Sequence, residues 1–285
     1  MSRTTASDVK HRSINRQETK PGENMFQFSI VKMKLEQLAG ALRSRLYRSG
    51  LLKFKNYQSE KNYSYDALTA EMMDKILRDN SNCIDVGCHK GAILNEIILR
   101  SPGGLHFAFE PLPELYRGLK RKYERKPNVK LLDCALSDSC GEATYQHVVT
   151  NPGYSGLRQR RYDRAEEKIV QLMVRTEMLD NVIPEDVQVR FIKIDVEGGE
   201  LQVLRGAAKT IKRCRPFIIF EHGLGAADHY GTTPEDMYRL LSGNYGMRVF
   251  RIEDWIRTDG AKNLSQEEFC NHYYKGSEFY FLASE

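Results

Sequence analysis

The sequence lacks the features of a membrane-spanning, secreted or zinc-binding protein. No apolar run approaches the ~20 residues that a membrane-spanning helix needs, and the first residues have no apolar core like that of a signal peptide. The six cysteines form no C-x-x-C pair, which argues against a zinc site. We therefore expect a reduced, cytoplasmic protein without a transmembrane segment.

The net positive charge of the chain is confined to its first 59 residues. Residues 1–59 contain twelve Lys and Arg and four Asp and Glu, so the net charge of +5 leaves −3 for the remainder. Residues 1–24 are polar, and residues 26–47 follow a helical period with one apolar face. We predict that residues 1–60 form a basic, partly disordered extension, most simply a solvated one. Its amphipathic helix could pack on its own domain, on a membrane surface or in a homodimer, and residues 61–285 should form the second domain.

The most informative stretch is residues 83–91, Cys-Ile-Asp-Val-Gly-Cys-His-Lys-Gly. A short apolar run leads to an acidic residue and then to a turn with two glycines, before an apolar segment that reads as a helix. This arrangement of strand, turn and helix brings bare backbone against a nucleotide-like ligand. The next apolar run ends in Glu110, about 20 positions later, where a βαβ unit hydrogen-bonds a ribose.

Two ribose-containing cofactors suit such a site, a dinucleotide and S-adenosylmethionine. A dinucleotide site needs G-x-G-x-x-G, whereas here Gly91 follows Gly87 after three residues and no third glycine comes next. Asp85 would repel a pyrophosphate at the helix start but would attract the amino group of S-adenosylmethionine. The spacing therefore favours S-adenosylmethionine, with contacts expected at Asp85, Gly87, His89, Gly91 and Glu110.

From residue 65 onward, helical and strand patterns alternate as a parallel sheet requires. The predicted strands are 82–86, 105–110, 129–134, 190–195, 217–221, 247–251 and 278–283. The predicted helices are 65–78, 91–100, 112–124, 199–212, 233–243 and 265–274. Two further strands, 143–149 and 168–174, form an insertion after the third strand. We predict a doubly wound, Rossmann-like α/β fold with a seven-stranded, mostly parallel sheet whose last strand inserts antiparallel.

Acidic residues end most of the predicted strands. Ligands of open α/β sheets bind beyond the carboxyl ends of the strands, and there the sequence places Asp85, Glu110, Asp133, Asp195 and Glu221. Five carboxylates in one crevice would repel each other unless a cationic ligand, a metal or hydrogen-bond donors compensate them. We expect Asp133, Ala135 and Asp195 to complete the cofactor site.

One motif identifies a family resemblance. Residues 193–206, Lys-Ile-Asp-Val-Glu-Gly-Gly-Glu-Leu-Gln-Val-Leu-Arg-Gly, resemble the most distinctive motif of the FkbM-type methyltransferases, a class I family that depends on S-adenosylmethionine. Supporting matches occur in the expected order at 84–91, 109–113, 135–138, 176–180 and 220–223. The resemblance implies a class I methyltransferase fold and O-methylation of a hydroxyl on a sugar, glycan, polyketide or other secondary metabolite.

Methyl transfer to a hydroxyl needs a group that takes the hydroxyl proton as the new bond forms. The candidates are Asp195, which lies directly after the fourth predicted strand, and His222 and Glu197. A divalent ion held by Asp195, Glu221 and His222 is a less favoured alternative. We therefore expect no metal.

The inserted loop supplies the expected acceptor contacts, because a long insertion at the ligand edge of a sheet usually covers or selects a substrate. Tyr154 offers a flat face for a sugar ring, Ser155 lies beside it, and Glu221 ends a neighbouring strand. The expected partner is therefore a small-molecule or carbohydrate acceptor.

Two other functions remain open from the sequence. The basic extension could indicate methylation of nucleic acid, but the chain has neither the Asn/Asp-Pro-Pro-Tyr run of adenine methylases nor the Pro-Cys nucleophile of cytosine methylases. A non-catalytic, cofactor-binding scaffold is the second alternative, and the intact glycine turn and strand-end acids argue against it. No nucleic-acid partner is expected.

Overall fold

The computed structural model describes residues 57–162 and 166–285, in which helices and strands alternate. The strands are β1 (Asn82–Val86), β2 (His106–Phe109), β3 (Val129–Leu132), β4 (Cys134–Leu136), β5 (Gly141–Val148), β6 (Ile169–Glu177), β7 (Val189–Ile194), β8 (Phe217–Glu221), β9 (Arg248–Arg251) and β10 (Tyr280–Ser284). The helices are α1 (Tyr57–Ile76), α2 (Ala92–Arg100), α3 (Pro113–Tyr123), α4 (Leu179–Val182), α5 (Glu200–Arg205), α6 (Ala208–Cys214), α7 (Pro234–Tyr238), α8 (Ile252–Thr258) and α9 (Gln266–Lys275). Short 3-10 helices span Pro152–Tyr154 and Ala227–Tyr230, and a π-helical turn spans Arg239–Asn244.

The main sheet has the strand order β3-β2-β1-β7-β8-β10-β9. Neighbouring strands from β3 to β8 pair in parallel, whereas β10 runs antiparallel to both β8 and β9. This arrangement confirms the predicted doubly wound, Rossmann-like sheet of seven strands and its antiparallel last strand.

Helices cover both faces of this sheet, as a mostly parallel sheet requires. Alternate residues of the central strands face opposite sides, so that Ile84 and Ile192 pack on one face and Cys83 and Phe191 on the other. Helices α5, α6 and α7 cover the first face, and α1 and α8 cover the second. Burial on both faces explains why the central strands are nearly continuous apolar runs in the sequence.

The strand order reverses at β1, which lies between β2 and β7. A crevice opens at such a reversal, outside the carboxyl ends of the two diverging strands. In the register of β1 and β7, Asp85 lies opposite Lys193 and Val86 lies opposite Ile194. The acidic end of β1 and the end of β7 are therefore neighbours at this crevice.

The insertion after β3 forms a second sheet of three strands in the order β4-β6-β5. Strands β5 and β6 pair antiparallel from Gly141 opposite Thr176 to Val148 opposite Ile169. Both inserted strands are therefore confirmed, and they are longer than expected. Strand β4 is separate from β3, because the chain turns at Asp133 and then pairs with β6.

The helix predicted over 199–212 consists of two helices, α5 and α6. The carbonyl of Gly206 accepts the backbone N–H of Asp180, which lies in a different part of the chain. The Asp180 carboxylate in turn accepts the N–H groups of Lys209 and Thr210, each at 2.8 Å, and so caps α6. A partner distant in sequence decides this break, and the local helical pattern did not reveal it.

Residues 61–285 form one compact unit. The domain boundary after residue 60 stays a prediction, and the helix predicted over 26–47 lies outside the described residues, as does any dimer formed through it. None of the helices in the described ranges combines the length and apolarity needed to span a bilayer.

Two leucines of α2 provide a matched test of this packing. Leu94 is fully buried, whereas Leu99 is 47% exposed. We expect Leu94→Ala to lower the free energy of unfolding by about 2–5 kcal/mol, because it removes buried methyl groups and leaves a cavity. Leu99→Ala should cost less than about 1 kcal/mol in the same urea titration. Equal losses in the two variants would contradict the orientation of α2.

Candidate active site

A cavity of about 270 Å³ opens at the carboxyl ends of β1, β2 and β7. One side is formed by the turn after β1 and by the ends of these strands. Another side comes from the inserted segment, through Tyr145, Pro152, Ser155 and Leu157. Tyr230, in the 3-10 helix after β8, also lines the space. Polar groups converge on a partly apolar concave surface, which is the usual composition of a ligand site.

The turn after β1 leaves no room for a side chain at its first glycine. Gly87 has φ +74°, and a Cβ atom there would lie 1.9 Å from the backbone oxygen of Asp195. Gly91 has φ +73°, and a Cβ atom there would meet the Tyr123 hydroxyl at 2.5 Å. His89 has φ +50°, a left-handed conformation that is uncommon for a residue other than glycine and recurs at functional sites.

Glu110 organises this turn from the end of β2. Its two carboxylate oxygens accept the backbone N–H groups of His89 and Leu112, each at 2.9 Å. Burial raises the pKa of Glu110 to about 7, although these two hydrogen bonds lower it. The residue predicted to contact a ribose therefore also holds the shape of the glycine turn.

Asp85 lies in the cavity without a close hydrogen-bond donor. Its side chain is fully buried, and neither carboxylate oxygen accepts a hydrogen bond of ordinary length and angle from the described residues. Burial raises the pKa of Asp85 to about 6, and the positive charge of Lys193 and the backbone N–H of Leu94 oppose this rise. A buried carboxylate in this state is unfavourable unless a ligand supplies the missing donor.

Asp195, by contrast, has several partners. The Lys193 ammonium lies 3.0 Å from Asp195 Oδ2, and the Tyr280 hydroxyl donates to the same oxygen. Burial alone would raise the pKa of Asp195, but Lys193, Tyr280 and a hydrogen bond from Glu221 together hold it below its usual value. Asp195 is therefore an ionised carboxylate at neutral pH, and its saturation with donors makes it a weak base.

Glu197 is held by the inserted segment. Arg160 forms an ion pair with its carboxylate, and the two side chains are only 14% and 13% exposed. The Arg160 guanidinium also lies 4.8 Å from the centre of the Tyr154 ring. Glu197 itself has φ +61°, a strained conformation directly after β7. This ion pair links the insertion to the end of the central strand.

Three carboxylates come close enough together to hold a metal ion. One oxygen each of Asp195, Glu197 and Glu221 lies within 4.8 Å of the others. Two resident cations already compensate this group, Lys193 at Asp195 and Arg160 at Glu197. Burial and the negative charge of Asp195 raise the pKa of Glu221 well above its usual value, which favours its neutral form. We therefore assign no metal to these residues.

The structure brings most of the predicted site residues to one cavity. Those that line it are Asp85, Gly87, His89, Glu110, Ala135, Ser155, Asp195 and Glu197. Those outside its lining are Gly91, Asp133, Tyr154, Glu221 and His222. Their roles as ligand or acceptor contacts stay predictions.

The prediction of His222 as a base at the cavity does not agree with its position. Its ring is 1% exposed and stacks against Tyr273 at 4.8 Å and Phe269 at 5.9 Å, within the core. Burial lowers the pKa of His222 to about 3, so the imidazole is neutral and a very weak base. Successive residues at a strand end point to opposite sides, and Glu221, one residue earlier, reaches Asp195 instead.

Asp133 also lies elsewhere than predicted. Its side chain is 62% exposed and pairs with Arg175 at 3.4 Å on the surface of the insertion. Strand β3 ends one residue earlier and the chain turns there, so that Ala135 of β4 lines the cavity instead.

Two residues of the insertion, both predicted to contact the acceptor, make contacts with other residues of the chain. Tyr154 stacks on Tyr162, with ring centres 6.4 Å apart, and does not line the cavity. Ser155 lines the cavity, but its hydroxyl accepts the Val148 N–H at 3.0 Å and its carbonyl accepts the Tyr145 hydroxyl at 2.9 Å. These contacts fix the loop over the cavity.

Sequence reasoning missed several residues at the site. Lys193 stands two residues before Asp195 in the motif, and the strand period of two would have placed both side chains on one face. Arg160 sits in a charged run that reads as a solvated loop, and Tyr280 is 85 residues from Asp195. No local signal connects either of these two residues with the cavity.

A family model described as the methyltransferase FkbM domain matches residues 85–249, more than half of the chain. The chain belongs to the FkbM methyltransferase family. The match begins at Asp85 and includes the turn after β1, the insertion and the ends of β7 and β8. The resemblance carried by residues 193–206 is thereby confirmed.

Two characterised methyltransferases are similar to this FkbM methyltransferase. Methyltransferase sdnD of Sordaria araneosa is 28% identical over 159 residues, which cover 46% of this chain and 61% of that protein. Hexuronic acid methyltransferase AglP of Haloferax volcanii is 27% identical over 146 residues, which cover 48% of this chain and 52% of that protein. The chain thus spans less than two thirds of the length of either relative.

Solved structures show more distant similarity. An FkbM methyltransferase from Methylobacillus flagellatus KT has 14% identity and a TM-score of 0.44, with 76% of this chain and 50% of that chain covered. A SAM-dependent methyltransferase from Aquifex aeolicus has 14% identity and a TM-score of 0.36, with coverage of 64% and 81%.

The glycine turn can be tested with two Gly→Ala substitutions. We expect Gly87→Ala to destabilise the protein by at least roughly 2 kcal/mol, because φ is +74° and the new Cβ would collide with the backbone of Asp195. Gly118→Ala in α3 meets nothing within 4 Å and should be neutral or stabilising by about 0.4–1 kcal/mol. Thermal unfolding compares the two, and similar midpoints would contradict the geometry of the turn.

The burial of His222 predicts a loss of stability in acid. Its pKa in the folded protein is about 3, below the ordinary value of 6.5, so protonation favours the unfolded chain. The stabilising contribution is complete above about pH 6.5 and declines as the pH falls toward 3, by roughly 2 kcal/mol between pH 7 and pH 5. We expect His222→Phe to flatten this decline in urea titrations across that range.

His229 provides the control, because its side chain is exposed. His229→Phe should leave the acid dependence of the unfolding free energy unchanged. If His222→Phe and the parent protein lose stability equally between pH 7 and pH 5, the buried neutral state of His222 is wrong.

Proposed function

We propose that this FkbM methyltransferase moves the methyl group of S-adenosylmethionine to a hydroxyl of a sugar, glycan or secondary-metabolite acceptor. The proposal depends on Asp85, a fully buried carboxylate that lines the cavity and accepts no hydrogen bond of ordinary length and angle from the described residues. Burying such a group is unfavourable. The cavity therefore suits a ligand that brings a cationic N–H group, as the amino group of S-adenosylmethionine does.

Two other carboxylates of the cavity already have partners within the chain. Glu110 accepts two backbone N–H groups, and Asp195 is paired with Lys193 and Tyr280. Asp66 also lines the cavity, but its side chain is exposed to water. Asp85 is therefore the buried acidic group whose charge a ligand would balance. This difference supports a ligand with one cationic end and argues against a phosphate or pyrophosphate at the turn.

The remaining residues fit the rest of the same cofactor. We assign Glu110 to the ribose, because it ends β2 next to the glycine turn. Ala135 and the backbone of the turn at Gly87 complete the proposed contacts, and residues of the insertion line another side of the cavity. When bound, S-adenosylmethionine would supply an activated methyl group, while the chain supplies binding and alignment.

Asp195 and Glu197 are the carboxylates proposed to face the acceptor hydroxyl. Both line the cavity at the end of β7, and Asp195 is ionised at neutral pH. Asp195 can accept the hydroxyl hydrogen bond and orient the oxygen. Although Asp195 is a weak base, the hydroxyl proton becomes strongly acidic as the new C–O bond forms, so that either carboxylate can take it. A sugar acceptor has independent support, because one relative is named a hexuronic acid methyltransferase.

Asp85→Asn tests the proposed cofactor site. We expect the affinity for S-adenosylhomocysteine, measured by calorimetry near pH 8, to fall at least about tenfold, because the amide cannot balance an ammonium group. Asp133→Asn is the matched control, since that carboxylate is exposed on the insertion and pairs with Arg175. Its affinity should equal that of the parent protein.

The ligand-free Asp85→Asn variant supplies a second measurement. Burial raises the pKa of Asp85, so the ionised carboxylate destabilises the folded state above about pH 6. We expect the free energy of unfolding of the variant at pH 8 to exceed that of the parent by on the order of 1–2 kcal/mol. Thermal unfolding should show this gain as a higher midpoint temperature. Unchanged affinity in this variant, or no binding by the parent protein, would refute the proposed cofactor site.

A separate experiment tests the acceptor class. The protein is incubated with labelled methyl donor and panels of uronic acids and neutral sugars, and transfer of the label to each sugar is measured.

A further inference from the structure

Lys193 is a buried cation in the middle of the acidic site. Its side chain lines the cavity, the residue is only 7% exposed, and its ammonium lies 3.0 Å from Asp195 Oδ2. In the pairing of β1 with β7, Lys193 lies directly opposite Asp85. A lysine is rarely buried unless it is paired. Here a single ammonium faces two carboxylates on adjacent strands.

The groups that surround Asp85 are otherwise acidic or neutral. The charged and titratable groups that act on it are Lys193 and Asp195 of β7, Glu110 at the end of β2, Cys88 of the turn and Tyr123 of α3. The backbone N–H of Leu94 in α2 also acts on it. Asp66 of α1 also lines the cavity and acts on Lys193, and Lys90 lines its edge with an exposed side chain. Among the described groups that act on Asp85 itself, Lys193 is the only cation.

The charge of this lysine is retained despite burial. Burial alone would lower the pKa of Lys193, but the charges of Asp195 and Asp85 raise it above its ordinary value. The same interaction works in reverse on Asp85, whose pKa is already about 6 with the lysine present. Without the ammonium, Asp85 would bind a proton at still higher pH, because Lys193 makes the largest contribution that opposes the effect of burial, ahead of the backbone N–H of Leu94.

We propose that Lys193 is a positioning residue that keeps Asp85 ionised at neutral pH, so that the cavity can receive the ammonium group of the methyl donor. This inference rests on the proposed function, because it assumes that a cationic amino group binds at Asp85. Lys193 does not touch that group itself; it acts through the carboxylate. Its role is electrostatic, and arginine can fill it in part while methionine cannot.

The charge of Lys193 has two opposing effects on such a ligand. It preserves the carboxylate that attracts the ammonium group, but it also repels that group directly. Removing the lysine should therefore weaken binding where Asp85 becomes protonated. At higher pH, where Asp85 ionises unaided, removal should leave binding unchanged or tighter. A purely structural role predicts one constant loss at every pH, so the pH dependence separates the two explanations.

The experiment is calorimetric titration of S-adenosylhomocysteine into the parent protein, Lys193→Met and Lys193→Arg between about pH 6.5 and pH 8.5. We expect Lys193→Met to bind about tenfold more weakly than the parent at the lower pH, because most of the Asp85 carboxyl groups of the variant are then protonated. The two proteins should agree within about threefold at the higher pH. Comparison at each pH cancels the titration of the ligand's own amino group. Lys193→Arg should stay within about threefold of the parent throughout.

5′-Methylthioadenosine serves as the matched ligand, because it retains the nucleoside but has no amino group. Its affinity should not differ between the parent and Lys193→Met in a pH-dependent way. A pH-dependent loss for this ligand as well would overturn the inference, since the effect would then not pass through Asp85.

Asp195→Asn gives a second route if Lys193→Met folds poorly. The negative charge of Asp195 raises the pKa of Asp85 and draws the ammonium toward itself. Without this negative charge, the Lys193 ammonium should interact more strongly with Asp85 and keep it ionised at lower pH. Binding of S-adenosylhomocysteine should therefore persist to lower pH than in the parent. An unchanged pH profile in this variant, or a pH-independent loss in Lys193→Met, would overturn the role of Lys193. No binding by the parent at any pH would instead overturn the proposed function.

Discussion

A carboxylate buried without a hydrogen-bond donor is the constraint around which the cavity is organised. Asp85 lies one residue before the end of β1, and its main compensation within the described part of the chain is the charge of Lys193 on the neighbouring strand. Such a group is unfavourable in the ligand-free fold, and it persists because a strand buried on both faces determines its position. A buried polar group that lowers stability is a common feature of functional sites, which is consistent with the proposed role of Asp85.

The other acidic strand ends show how the fold avoids the repulsion that their convergence would cause. Backbone N–H groups satisfy Glu110, while Lys193 and Tyr280 satisfy Asp195. Glu197 receives an arginine from the inserted segment. Each carboxylate is thus compensated by a different part of the chain, and the closing strand β10 and the insertion both contribute to the site. The insertion is consequently a wall of the cavity as well as an addition to the fold.

Much of the fold and part of the site could be predicted from local patterns. The glycine turn, the acidic strand ends and the alternation of helices and strands depend on residues close in sequence, and the sheet formed as expected. The positions of side chains differ from expectation where a single position or a distant partner decides the outcome. His222 follows Glu221 by one residue, yet the strand period of two sends its ring into an aromatic cluster while its neighbour reaches Asp195.

By itself, the sequence determined the doubly wound sheet, the position of the ligand crevice and the membership of a methyltransferase family. Those conclusions follow from short-range periodicity and from motifs within single segments. Only the tertiary structure decided which carboxylates are compensated and which one is left for a ligand. The physical reason is that charges interact through space: the partners of Asp195 come from its own strand and from Tyr280, 85 residues away, whereas no described segment gives Asp85 a hydrogen bond of ordinary length and angle.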